Sequence, residues 1–222
     1  MTFVLASRTP KVCNDYQQHV TRKLLLDTAD KLDLGLNASR AEDAWHEADD
    51  IRVGQPGPVL RSAGNGSALA PMIFGLPHPS GGRPIINITS DYTKGGERKI
   101  RDYSHSDRCV ILASGFYEFK GTRYPKAKYQ FTLNDQPFMG IAGIWRSGLN
   151  GKEDAFAMLT TIPGADIEPI HDRQIVILRP EQFGTWLSFD RGAVDLLQPL
   201  PAGSLSVEMV RGEAAPRRKK AA

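Results

Sequence analysis

The chain reads as a single α+β domain, with a mostly antiparallel, curved or barrel-like β-sheet core and peripheral helices. Three observations predict this. One strongly amphipathic stretch near the start is followed by about ten short apolar segments, too many for a helical protein. The 21 glycines and 15 prolines fall mainly between those segments, where turns are needed. No alternation of strand and long helix suggests βαβ units, and no repeat or linker divides the 222 residues.

Taken in order, the helix is predicted over Tyr16 to Leu34. Val20, Leu24, Leu25, Ala29 and Leu32 recur at three- and four-residue steps, and Gly35 with Asn37 supplies a stop. A polar stretch from Asn37 to Asp50, holding Trp45, accommodates a short second helix. Strands are predicted at Pro58–Arg61, Leu69–Phe74, Pro84–Ile88, Cys109–Ala113, Phe116–Lys120, Tyr129–Leu133, Phe138–Trp145, Ala155–Thr161, Ile175–Leu178 and Leu205–Val210. Pro180–Leu187 and Ala193–Leu197 read as helical breaks among them.

Composition narrows the function classes. The hydrophobic share is 41% and the charged share 24%, which suits an ordinary globular core. The net charge is +3, but Arg217, Arg218, Lys219 and Lys220 near the end carry four positive charges, so the rest of the chain stands at −1. Overall charge therefore gives no argument for a polyanionic partner, and only a local patch could. Residues 213–222 are expected to form a basic, disordered tail. Two cysteines and no metal-ligand spacing speak against a disulfide scaffold, a metal centre or any other cofactor. No apolar run approaches the ~18 residues of a membrane helix, and Phe3 to Ala6 is too short for a signal peptide. The expectation is a soluble cytoplasmic protein, for which the sequon Asn87-Ile88-Thr89 is a chance match.

Four polar positions could carry chemistry. Glu118 lies in the aromatic strand Gly115-Phe116-Tyr117-Glu118-Phe119. Desolvation there would raise its pKa toward values useful for proton transfer, although alternation could equally point it to solvent. His171, in Ile170-His171-Asp172-Arg173, sits at a loop-to-strand junction and could titrate, contact phosphate or be merely structural. Asn87 ends the run Pro84-Ile85-Ile86 as a turn former or a directed hydrogen-bonder. Cys13, just before the predicted helix, is either a thiol of lowered pKa or a small core residue. Cys109, in Arg108-Cys109-Val110-Ile111-Leu112, reads as a buried inert thiol.

The order and context of these segments resemble the SOS-response-associated peptidase (SRAP) family. The match runs from Val12-Cys13-Asn14 to about Arg211-Gly212. It is strongest over Arg108 to Phe119, and continues in Ile141-Ala142-Gly143-Ile144-Trp145, Ala157 to Thr161 and Ile170 to Leu178. The resemblance implies a domain over residues 12–212 that handles abasic sites in single-stranded DNA. It places Cys13, Asn87, Glu118 and His171 in the reactive site, with no metal or cofactor. The cysteine would react as an N-terminal residue, forming a thiazolidine crosslink with the sugar aldehyde, and the same site would free that cysteine by self-processing. Residues 1–11 would then be an extension, either removed by the enzyme or upstream of a GTG start codon read at Val12.

Two departures affect how DNA would be held. Thr89 stands two residues after Asn87, where the family commonly has an arginine, and Lys94, Arg98, Lys99, Arg101 and Arg108 offer a replacement patch. The family's aromatic wedge is not evident in Phe74 to Pro79. A monomer associated with the bacterial nucleoid is expected. Two other readings are a single-stranded DNA-binding module with an inactive site and a peptidase acting on other proteins. The second finds no nucleophile-elbow motif in its support.

Overall fold

A computed structural model describes residues 12–36, 48–63, 66–103, 105–148, 153–188 and 191–214. The expected extension at 1–11, the stretch at 37–47 with Trp45 and the tail beyond Ala214 lie outside them. Fifteen strands and two short α-helices are present among the described residues. They are β1 (Asp15–Gln18), α1 (Arg22–Lys31), β2 (Ala48–Arg52), β3 (Pro56–Ala63), β4 (Gly66–Phe74), β5 (Asn87–Thr89), β6 (Asp91–Lys94) and β7 (Glu97–Ile100). There follow β8 (Arg108–Ala113), β9 (Gly115–Lys120), β10 (Ala127–Leu133), β11 (Met139–Arg146), β12 (Ala155–Thr161), β13 (Gln174–Ile175), β14 (Ile177–Leu178), α2 (Phe183–Leu187) and β15 (Leu205–Arg211). Short 3₁₀ turns at Pro180–Gln182 and Arg191–Leu196 account for the predicted helical breaks together with α2.

Two larger sheets carry the fold. One has the order β15-β10-β9-β1-β2, and the other runs β13-β12-β4-β3-β8-β11-β14 with β5 attached to β12. A further pairing of β12 with β11 closes the second sheet into a ring. Antiparallel pairs dominate, as expected, and β12 supplies the parallel ones, to β4 and β5.

Alternation along the ring strands sorts the core into two halves. Val59, Ile111, Ile141, Phe156 and Met158 face one cluster, which also takes Tyr16, Phe116 and Phe131 from the five-stranded sheet. Leu60, Val110, Leu112, Ala142 and Leu159 face the other, against Leu25 and Ala29 of α1 and Phe183, Trp186 and Leu187 of α2. Stacked ring pairs, Phe74 on Phe156 at 5.2 Å and Phe116 on Phe131 at 5.0 Å, brace the first half. Each buried phenyl contributes roughly 1.5–3 kcal/mol by leaving water.

Several elements differ from the expectation, among them the strand expected at Pro84–Ile88, which is found at Asn87–Thr89. The helix begins at Arg22 rather than Tyr16, because Tyr16 pairs with Ile51 and Phe116 as a strand. The Thr21 side chain then caps the helix, accepting from Leu24 N at 3.2 Å. The predicted strand at 175–178 is two short ones, since Ile175 pairs with β12 and Ile177 with β11, bridging the ring closure. The β6–β7 hairpin and β2 were not expected at all. Their residues, such as Asp91-Tyr92-Thr93-Lys94, are too polar to show a buried face.

Two residues of the expected tail, Glu213 and Ala214, are among the described ones. Glu213 accepts from the main-chain N–H groups of Thr122 and Arg123 at 2.7 and 2.6 Å, and Ala214 N donates to Pro125 O at 3.0 Å. Both residues are thus fastened to the β9–β10 turn.

Candidate active site

Strand β9 lies between β1 and β10, and its two faces do different things. Tyr117 and Phe119 turn to a cationic side, where Lys128 Nζ sits 3.5 Å from the centroid of the Tyr117 ring. Arg211 lies 6.0 Å from that of Phe119. Phe116 and Glu118 turn the other way, into the core. Glu118 is therefore 1% exposed, resolving the choice between pocket and solvent that alternation alone left open.

The carboxylate meets the start of the described chain. Cys13 N donates to Glu118 Oε1 at 2.9 Å, across 105 residues of sequence. Cys13 itself is buried and held at φ 32°, a left-handed conformation unusual for a residue with a side chain. Its thiol is directed to Asp15 O at 3.3 Å. Burial raises the Glu118 pKa to about 8, overcoming the hydrogen bonds from Cys13 and Phe119, with Asp15 and Asp172 adding to the rise. At neutral pH the group is thus a carboxylic acid able to give up a proton.

Of the two readings of the Cys13 thiol, lowered acidity or a small core residue, the surroundings favour the second. No helix begins beside Cys13, and burial, together with the nearby Glu118 and Asp15 carboxyls, pushes its pKa well above the ordinary thiol value. Cys13 is held as a thiol, not a thiolate.

Asn87 heads β5, with its Cα opposite Met158 of β12, beside the same core half as Cys13 and Ile86. Both polar atoms of its side chain are buried and have no hydrogen-bond partner. His171 follows a turn in which its main-chain N–H donates to Ile167 O at 3.0 Å. Its Nδ1 accepts from Arg173 N at 3.0 Å and also lies 3.1 Å from Asp172 Oδ1. Nδ1 thus has a main-chain donor on one side and a carboxylate oxygen on the other. The neighbouring Asp172 carboxylate acts on Glu118, and Lys120 Nζ donates to Pro169 O at 2.6 Å, tying this turn to the end of β9. The structure thus joins Cys13 directly to Glu118. Among the described residues, Asn87 and His171 make no hydrogen bond to either.

Asp15 and Lys128 were not singled out in the sequence. Lys128 Nζ lies 3.0 Å from Asp15 Oδ2 and 3.4 Å from Asp50 Oδ1. Burial still keeps the Asp15 carboxyl above its ordinary range. With 113 residues between Asp15 and Lys128, only a correct pairing of β1, β9 and β10 could have found them.

The predicted basic patch divides. Arg108 is a correction: it is 2% exposed, in an inner strand between β3 and β11, with its guanidinium 5.1 Å from the Trp186 ring centroid. Burial removes it from any contact with DNA. Arg98 is engaged by Asp91 at 2.6 Å and by Gln198 and Thr161. Burial opposes ionisation of Asp91, but Arg173 and Arg98 together hold its pKa below the usual carboxylate range. Lys99 pairs with Glu97 on the exposed hairpin. Arg101 lies against Tyr92, 5.1 Å from the ring centroid, and donates from Nε to Thr89 O at 3.0 Å. A guanidinium therefore stands beside Thr89 although the residue itself is not arginine.

No group of three or more potential metal ligands occurs among the described residues, and no helix there is long and apolar enough to cross a membrane. The described site is an acid, a main-chain nitrogen and a thiol on one strained residue, with an orphaned amide in the same half of the core.

Comparison with known proteins gives the family and the fold. The chain is 28% identical over 169 residues to the abasic site processing protein YoqW of Bacillus subtilis, covering 72% of this chain and 75% of the relative. It is 27% identical over 86 residues to the abasic site processing protein YMR114C of Saccharomyces cerevisiae, covering 38% and 23%. Among solved structures, a protein from Bordetella bronchiseptica superposes with a TM-score of 0.67 at 22% identity, covering 90% of this chain and 100% of that one. One from Bacteroides thetaiotaomicron gives 0.66 at 17% identity, covering 90% and 92%. These two likenesses concern the fold. The model of the SOS response associated peptidase (SRAP) family matches residues 12–214, and the chain belongs to that family.

Proposed function

We propose that this protein captures abasic sites in single-stranded DNA as a covalent thiazolidine through Cys13, once the residues before Cys13 have been removed. The observation that carries this reading is the 2.9 Å hydrogen bond from the Cys13 nitrogen to Glu118. The nitrogen and the thiol belong to one residue, and the nitrogen faces an acid whose pKa is near 8. A peptidase using an activated thiolate would need the opposite, a thiol with a lowered pKa.

The reaction follows from those positions. The free amine of Cys13, titrating near ~7.7–8.0, adds to the aldehyde of the ring-opened sugar. Glu118 donates a proton to the departing hydroxyl, so water leaves and a Schiff base remains. The Cys13 thiol then adds across the C=N bond. Sulfur bonds to carbon, the thiol proton passes to nitrogen, and a five-membered ring closes. A protonated thiol suits this order, because the amine must react first. Asn87 would satisfy its unpartnered amide on the sugar, and the His171 ring would contact a sugar or phosphate oxygen. Lys99 and Arg101 would hold flanking phosphates, with Arg98 contributing through the edge not engaged by Asp91.

The same residues support release of Cys13. Water attacks the Val12 carbonyl, the C–N bond breaks, and Glu118 protonates the departing Cys13 nitrogen. The strained backbone at Cys13 would be relieved by the cut. A bacterial cytoplasm, at the nucleoid, is where such a substrate would be met.

The test is incubation of protein beginning at Cys13 with an abasic single-stranded oligonucleotide. A band resistant to denaturation is expected, with none from Cys13→Ala. Equal behaviour of the two proteins would sink the proposal. Salt-sensitive binding without the band would favour a non-covalent module.

A further inference from the structure

Asp91 takes no part in the reaction proposed above, yet two segments that carry candidate site residues are tied to it. It opens β6, two residues beyond the end of β5, whose first residue is Asn87. The side chain is buried between two guanidiniums. Its Oδ2 lies 2.6 Å from Nε of Arg98 on β7, and its Oδ1 lies 2.7 Å from Nη2 of Arg173. A buried carboxylate paired on both sides is costly to disturb, because removing it leaves uncompensated positive charge.

Arg173 carries that restraint to His171. Its Nη2 also donates to Thr160 O at 2.9 Å, and its main-chain N–H donates to His171 Nδ1 at 3.0 Å. One residue thus joins β12, Asp91 and the imidazole. The β5 side reaches the same point, since Ser90 N donates to Thr160 O at 2.8 Å and continues the pairing of β5 with β12. Arg98 braces the carboxylate from behind. Its Nη2 donates to Thr161 Oγ1 at 2.8 Å and its Nη1 to Gln198 Oε1 at 2.9 Å. The segments bearing Asn87 and His171 therefore dock on one carbonyl oxygen, and Asp91 locks them together by charge.

We infer that Asp91 is a positioning residue, which acts through Arg173 to hold the His171 imidazole in register with Asn87 for the incoming sugar-phosphate. This rests on the reading of the site given above. Groups that meet a substrate from separate segments need such a support, and a misplacement of about 1 Å costs about 10²-fold in rate. Asparagine at position 91 keeps the shape but not the charge, so the Arg173 guanidinium loses its restraint on one side.

The test compares Asp91→Asn and Asp91→Glu with the parent, using protein beginning at Cys13 and an abasic single-stranded oligonucleotide. Asp91→Asn is expected to slow crosslinking at saturating DNA by about 10–10²-fold, with Asp91→Glu restoring most of the rate. In a His171→Ala background the same change should cost less than about two-fold, because residues acting as one unit do not add. Full additivity would overturn the inference. Urea midpoints separate lost positioning from lost folding. Should Asp91→Asn fail to fold, Arg173→Lys keeps a positive charge beside Asp91 but loses the fork that also reaches Thr160, and the same loss and the same non-additivity are expected of it. Imidazole NMR signals, with that of His171 assigned by its disappearance in His171→Ala, give a readout that needs no crosslink. The His171 signal should move in Asp91→Asn and return in Asp91→Glu, while those of His19 and His78 stay in place. An unmoved His171 signal would overturn the inference whatever the crosslinking rate. If the parent forms no crosslink while the His171 signal moves, the chemistry fails and the support of His171 by Asp91 stands. If the parent crosslinks and Asp91→Asn does so as fast, the inference fails and the chemistry stands.

Discussion

The surroundings of the two cysteines differ in nearly everything except burial. Cys13 and Cys109 are 2% and 0% exposed, face the same half of the core, and both have thiol pKa values raised by desolvation. Cys109 sits mid-strand in β8, paired through the backbone with Arg61 and Gly143. A methyl group placed on Gly143 would come within 2.9 Å of its sulfur, so that glycine makes room for it. Cys13 lies ahead of its strand at a positive φ, with its nitrogen on a carboxyl group. Burial and thiol acidity would rank the two alike. What sets Cys13 apart is the acid at its nitrogen and the strain in its backbone.

Removing the acid should produce the largest change. Glu118→Gln is expected to slow crosslinking by about 10²–10⁴-fold while leaving Cys13 a hydrogen-bond acceptor, as measured by gel-resolved single-turnover kinetics. The same variant sharpens the contrast through stability. The Glu118 pKa rises from 4.5 in the unfolded chain to about 8 when folded, so the native state keeps a proton that the unfolded state releases between those values. The associated stability is fully present below about pH 4.5 and drains away as pH rises through about 8, a loss of order 5 kcal/mol. Urea unfolding of the parent at about pH 5 and about pH 9 should show this fall, and Glu118→Gln should flatten it. A pH-independent parent would mean that the carboxyl is not held protonated.

Much of the fold was legible from the sequence because several strands of the ring are apolar on both faces. β8 and β12 are buried at every position and announce themselves as continuous apolar runs. β1 was hidden because Tyr16 and Val20 also fit a helical period, and only pairing with Phe116 and Ile51 decides between the two. The four candidate site residues came from their family context, not from their own chemistry. The Cys13–Glu118 hydrogen bond spans 105 residues, and the direction of the Cys13 pKa shift depends on burial that a helix-start reading could not supply. Arg108 misled for a related reason: a charged residue suggests a surface, but here its strand is enclosed and Trp186 covers the guanidinium.

A smaller effect is expected at Asn87, whose buried amide has no partner and so costs stability. Asn87→Leu, of similar size, should raise the unfolding free energy by about 1–2 kcal/mol while slowing crosslinking. A variant at once more stable and less active is the signature of a polar group kept for a ligand. A fall in both would assign the side chain a structural role.

The smallest change, and the one that most directly threatens the contrast between the cysteines, is expected from Cys109→Ala. Deleting one buried sulfur should cost about 1 kcal/mol, read as a lower denaturation midpoint with an unchanged slope. The crosslinking rate should stay within about two-fold of the parent, because Cys109 has no titrating partner at its nitrogen. Its thiol does share one neighbour with Cys13. Both act on the buried Tyr16 hydroxyl, which has no hydrogen-bond partner and could relay a local shift from one to the other. The double variant Cys109→Ser with Tyr16→Phe isolates that route, since serine restores most of the missing volume and phenylalanine removes the hydroxyl. If crosslinking survives both changes, reactivity belongs to the terminal residue and its acid. If it fails in Cys109→Ala and returns in the double variant, the two cysteines form one coupled unit and the contrast drawn between them is wrong.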